Sequence, residues 1–157
     1  MPTFKSVSEL NKAILSKSCV AVEVAKKEAY KIIDNVLEKY YAWEPEYYKR
    51  TEKLLKSLVE SKVKSYGNSV VAEVYFDSSK LNYKQGLVPL KKPFPDGTTH
   101  GYATWDAGKV LDAAMHGSDA VTWRNPTAIW DESVPILNRD MMNILIKELK
   151  KAGIPIK

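Results

Sequence analysis

The sequence predicts an α+β fold in which a long N-terminal helix and a C-terminal helix pack on a small antiparallel β-sheet. Three observations lead there. No proline or glycine lies between Pro2 and Pro45, and apolar residues recur through that stretch at three- and four-residue intervals. Two runs rich in β-branched and aromatic residues flank Gly67-Asn68. A second helical run starts at Pro135 and meets its stop at Gly153 and Pro155. A length of 157 residues suits one domain, 1–157, whose core needs no disulfide or metal staple.

The first helix is expected over about residues 8–42. Ser6 or Ser8 can cap it, and Glu9 stands three residues after Ser6, the spacing of a capping box. Leu10, Ile14, Val22, Ala25, Ala29, Ile32, Ile33, Val36 and Tyr40 collect on one side, with Lys27, Glu28, Lys31, Asp34 and Glu38 opposite. Such a helix is about 50 Å long at about 1.5 Å per residue. A domain of this size does not cover that length on one side, so part of the stripe is expected to meet another subunit. Val20 and Val24, four residues apart and off the main stripe, read either as two exposed valines or as a second contact line.

Trp43-Glu44-Pro45 ends the helix, because a residue before proline leaves the helical region. A short helix or turn follows between Glu46 and Leu58. A hairpin is expected over about 59–76, turning at Gly67-Asn68, with Val59 and Val63 alternating with charged residues in its first arm. Residues 77–101 contain Pro89, Pro93 and Pro95 and read as a long loop able to order against a partner. A short helix fits 104–117, capped by Thr104 or Asp106 and closed by Gly117. Val121–Arg124 suits a short strand. The last helix is expected over about 135–152, with Leu137, Met141, Ile144, Leu145, Leu149 and Ala152 on its apolar face and lysines near its negative end.

Composition and motifs argue against chemistry. The single Cys19 cannot form an internal disulfide and sits mid-helix, away from a helix N-terminus that would activate a thiol. His100 and His116 fit no metal-ligand spacing, and the glycines form no phosphate loop or nucleophile elbow. No enzyme activity, cofactor or metal is therefore expected. The first residues lack an apolar leader core, and no stretch reaches the ~20 apolar residues of a membrane span, so synthesis in a reducing cytoplasm without membrane partners is the expectation. The net charge of +5 invites a nucleic-acid reading. Most lysines alternate with acids along helices, however, which is the pattern of a solvated face. Trp43, Trp105, Trp123 and Trp130 read either as core or as subunit anchors; Trp123 and Trp130 suit both.

One stretch carries a resemblance. Pro45, Tyr48, Arg50, Thr51, Leu54 and Ser57 match the Pro-x-x-Tyr-x-Arg-Thr-x-x-Leu-x-x-Ser pattern that follows the long first helix in the tail-completion, or head–tail joining, proteins of long-tailed bacteriophages and prophages. Val110 to Ser118, Trp123 to Pro126 and Glu148 to Gly153 resemble later segments of that family, in the same order. The chain departs from the pattern in carrying Glu52 where many members have glycine. The resemblance implies a structural virion protein at the neck. It would close as a homo-oligomeric ring, with connector or adaptor, tail-tube or terminator proteins as partners, and with DNA passing through it unread. The rival reading is a small basic nucleic-acid-binding protein, drawing on Lys62, Lys64, Lys91 and Lys92 near aromatics.

Overall fold

A computed structural model describes residues 4–42, 44, 52–81, 107–116 and 128–156. It is an α+β structure with α1 (Val7–Ala42), a 3-10 turn (Leu55–Ser57), β1 (Leu58–Glu60), β2 (Lys64–Tyr66), β3 (Ser69–Val71), β4 (Val74–Phe76), a second 3-10 turn (Ser78–Leu81), α2 (Ala107–His116) and α3 (Ile129–Lys151). The chain forms two compact units. One comprises Met1–Ile32, Glu60–Tyr75 and Ile136–Lys157; the other comprises Ile33–Val59 and Phe76–Pro135.

The start of α1 is a reciprocal cap. The Glu9 N–H donates to Ser6 Oγ at 3.2 Å, and Glu9 Oε2 accepts the Lys5 N–H at 2.8 Å. The acid reaches back one residue further than in the simplest capping box, to Lys5 instead of Ser6. Along the solvated side, Glu23 pairs with Lys27 and Glu28 with Lys31, the interleaving expected of a surface face.

The strands flank the expected turn. Gly67 takes φ +57°, and a positive angle at the first central residue alone is the pattern of a type II′ hairpin turn. Lys64 pairs with Val71, Ser65 with Val70 and Tyr66 with Ser69. Further down, the Ser61 N–H donates to the Glu73 carbonyl at 2.9 Å, and Ser61 Oγ accepts the Glu73 N–H at 2.9 Å. Three residues therefore step down the first arm while two step down the second. That extra residue is a bulge, and it divides the single sheet expected from sequence into two two-stranded pieces, β1–β4 and β2–β3.

Two boundaries differ from the sequence reading. The last helix begins at Ile129, so Pro135 lies inside α3 and not at its start. Proline there removes one helical hydrogen bond, to the Asp131 carbonyl. The first two turns persist because Ile129 is fully buried and because the Ala128 carbonyl accepts the Glu132 N–H at 2.9 Å. The loop expected from residue 77 instead opens with a 3-10 turn. Asp77 Oδ1 accepts from Ser79 Oγ at 2.6 Å and from its N–H at 3.1 Å, and Leu81 is fully buried. The Ser79 hydroxyl, more than Lys80, holds the Asp77 carboxyl below its ordinary range. The remainder of that loop, the 121–124 strand, Thr104, Asp106, Gly117 and Trp105 fall outside the described residues.

Burial is uneven. The second unit holds Ile33, Val36, Leu37, Leu54, Leu58, Leu81, Ala114 and Ile129 in its core, with the two 3-10 turns against each other and the second against α2. Among the described residues of the first unit, Ala21, Ala25 and Lys26 are buried. α3 ends in a Schellman arrangement: Gly153 at φ +77° donates to the Lys150 carbonyl and Ile154 to the Leu149 carbonyl.

Candidate assembly surface

The motif residues that the structure describes face inward. Leu54 is buried, and the fully buried Ser57 donates its hydroxyl to the Leu54 carbonyl at 2.7 Å. The Ser57 carbonyl accepts the Asp77 N–H at 2.8 Å, and Tyr41 Oη accepts the Leu55 N–H at 3.2 Å. Leu54 and Ser57 thus tie the turn after α1 to the end of the hairpin. Just before them Glu52 takes φ +55°, a left-handed angle that favours glycine, at the position where the resembled pattern has glycine. Pro45, Tyr48, Arg50 and Thr51 lie outside the described residues.

Of the candidate contact residues, Val20 is 63% exposed, Trp130 is 44% exposed, and Val24 is half-buried. Trp123 lies outside the described residues. Val20 sits within the first unit and Trp130 within the second.

The apolar face that stands out lies earlier. Val7 is 74% exposed, and Leu10 and Ile14 are 38% and 39% exposed. At about 100° per residue these three fall on the line of Ala21, Ala25, Ile32 and Val36, so they continue the stripe that is buried further along. Further along, the chain's own C-terminal turn comes near α1 at Lys17: a Cβ built on Gly153 would lie 3.3 Å from Lys17 Nζ. The two turns before that point carry Lys5, Glu9 and Lys12 on the opposite side. Sequence reasoning placed Leu10 and Ile14 on the core stripe. Its one signal that they would be uncovered was the length of the helix.

Lys26 was missed altogether. Its side chain is 6% exposed and its ammonium donates to Glu23 Oε2 at 3.0 Å and to the Ser61 carbonyl at 2.9 Å, with Glu60 Oε2 at 3.4 Å. Burial opposes its charge, but the hydrogen bond to Glu23 and the Glu60 carboxylate outweigh it and hold the ammonium above its ordinary value of 10.5. The signal was positional: Lys26 shares a helical line with Val22, Ala29, Ile33 and Leu37. The lysine clamps the first hairpin arm to α1.

Cys19 is a free, half-buried thiol. His116 Nδ1 lies 3.1 Å from Asp131 Oδ1, an exposed pair joining the end of α2 to the first turn of α3. Among the described residues no three His, Cys, Asp or Glu side chains cluster as metal ligands, and no helix is long and apolar enough to cross a membrane.

The model of the YomN family matches residues 6–152, and the chain belongs to that family. The family is phage-associated. No curated protein matches the chain. No solved structure matches it.

Proposed function

We propose that this protein is a structural subunit of a phage or prophage virion that acts in head–tail joining or tail completion by assembling into a ring, without catalysis or cofactor. The observation that carries the reading is the exposed Val7–Leu10–Ile14 face on a 36-residue helix, in a chain of a phage-associated family. Apolar surface aligned with a core stripe has a hydrophobic incentive to find a neighbour. Copies packing head-to-tail around an axis close as a ring, with connector, adaptor, tail-tube or terminator proteins above and below. The Leu54–Ser57 turn supplies stiffness rather than contact. The protein is made in the host cytoplasm and ends in the virion.

The test combines gene disruption with reconstitution. Disrupting the gene in its phage is expected to leave filled heads and separate tails. Purified protein mixed with the other neck proteins is expected to enter rings visible by electron microscopy and light scattering. A chain that stays monomeric in that mixture and enters no particle overturns the proposal.

One observation favours a second reading. Lys62, Lys64 and Tyr66 are all exposed on the hairpin, a basic and aromatic tip able to touch nucleic-acid backbone. DNA affinity that falls steeply with salt would support a nucleic-acid-binding protein over a neck subunit.

A further inference from the structure

We propose that the outward face of the hairpin binds single-stranded nucleic acid, with Lys62 and Lys64 on separate phosphates and an unpaired base stacked on Tyr66. This deepens the second reading above and rests on it: it names the form of nucleic acid and the side chains that select it.

Charge is divided unevenly along the chain. The residues of the first unit include thirteen lysines and arginines against seven acids, a formal +6, whereas those of the second unit come to −1. The whole positive excess therefore belongs to the unit that contains the hairpin, and a polyanion is drawn there. Within the hairpin, exposure follows the two-residue period of a strand. Lys62, Lys64 and Tyr66 on the first arm and Ser69, Val71, Glu73 and Tyr75 on the second are exposed, while Val63, Val70, Ala72 and Val74 are half-buried. Lys64 lies opposite Val71, and Tyr66 opposite Ser69, so these four share the outward face. Glu60 lies 3.4 Å from Lys26, and no carboxylate among the described residues pairs with Lys62 or Lys64. Glu73 is the one acid on the outward side of the second arm.

Two properties of this face favour a single strand. Its cations are few: two residues of extended chain advance about 6.6 Å, so Lys62 and Lys64 each reach one phosphate. Two contacts count for little against a duplex with one charge per about 1.7 Å of axis. Its uncovered apolar surface, by contrast, is considerable, since Tyr66, Val71 and Tyr75 are 60%, 43% and 49% exposed. The backbone of a duplex offers these side chains no ring to stack on, because its bases are stacked inside. An unpaired base does, and Ser69 is too small to cover the Tyr66 ring from across the hairpin.

The test is fluorescence anisotropy of the full chain with a labelled oligothymidine, a duplex of equal length and anionic phosphatidylserine vesicles as competitor. The single strand is expected to bind at least about tenfold more tightly than the duplex. Tyr66→Ala should weaken binding about 5- to 100-fold, and Tyr66→Phe should leave it unchanged, because stacking needs the ring and not the hydroxyl. Lys62→Gln with Lys64→Gln should reduce the slope of log affinity on log salt by about 1.4, at about 0.7 per phosphate. Lys147→Gln with Lys150→Gln removes the same charge from α3 of the same unit and should change affinity less than about twofold. All these side chains are exposed or surface-facing, so circular dichroism and melting temperature should stay as they are. Duplex bound as tightly as single strand, a Y66A chain that binds normally, or equal losses from the two lysine pairs overturns this inference and leaves the nucleic-acid reading standing. Binding of neither oligonucleotide, with or without binding of the vesicles, overturns both.

Discussion

Replacing Lys26 by methionine keeps the apolar stem and removes the ammonium that clamps the first hairpin arm. Three contacts disappear, and they are not equal. Glu23 and Glu60 are more than a third exposed, so each regains water, and each lost pair costs about 0.2–1 kcal/mol. The hydrogen bond to the Ser61 carbonyl has a charged donor and a side chain only 6% exposed, and bonds of that kind contribute about 1.5–3 kcal/mol. Methionine offsets part of this by relieving the burial of a charge. The net loss is about 1–2 kcal/mol, or roughly 2–8 °C in melting temperature for a chain of this size. Because the folded-state value is raised above 10.5, the stabilisation is fully present below that pH and is lost as pH rises through the folded value. Urea titrations of Lys26→Met and the unmodified chain should differ by a constant amount from pH 6 to pH 9 and converge above about pH 10.5. Amide exchange at Ser61 and Glu73 should quicken in the variant. A K26M chain as stable as the original at pH 7, or a gap that widens in alkali, refutes the reasoning.

Three further outcomes follow from particular backbone and hydrogen-bond features. Glu52→Gly should be neutral to about 1 kcal/mol stabilising, because relief of the left-handed φ of +55° outweighs the entropy of glycine, whereas Glu52→Val should cost at least about 1 kcal/mol; urea midpoints of the two decide it. Ser57→Ala should cost about 1 kcal/mol by removing a buried 2.7 Å hydrogen bond. Ser133→Ala should cost nothing measurable, since the buried Ser133 hydroxyl has no hydrogen-bond partner among the described residues, so equal losses in the pair would contradict the contrast. Gly67→Ala should weaken the hairpin by about 1 kcal/mol through backbone strain alone, as open space surrounds the added methyl, and exchange of the β2 and β3 amides should report it.

Local chemistry was readable in the chain itself. The capping pair Ser6 and Glu9, the helical period of α1, the Gly67-Asn68 turn and the glycine stop at Gly153 each depend on residues within a turn or two of one another. Their free energies scarcely involve the rest of the molecule. Contacts between distant residues were decided elsewhere. Pro135 sits inside α3 because burial of Ile129 outweighs one missing hydrogen bond, and no window around Pro135 contains the residues that bury it. The bulge at residues 61–63 appears only when the two arms are laid side by side. Lys26 reads as one more helix lysine until Ser61 and Glu60 arrive from the hairpin. The stripe on α1 was visible as a pattern of residue types, but which of its members are buried and which exposed was not. A hydrophobic period reports a preference for burial; only the tertiary structure determines which residues obtain it, because the groups that enclose a side chain come from distant segments, as Ser61 and Glu60 do at Lys26.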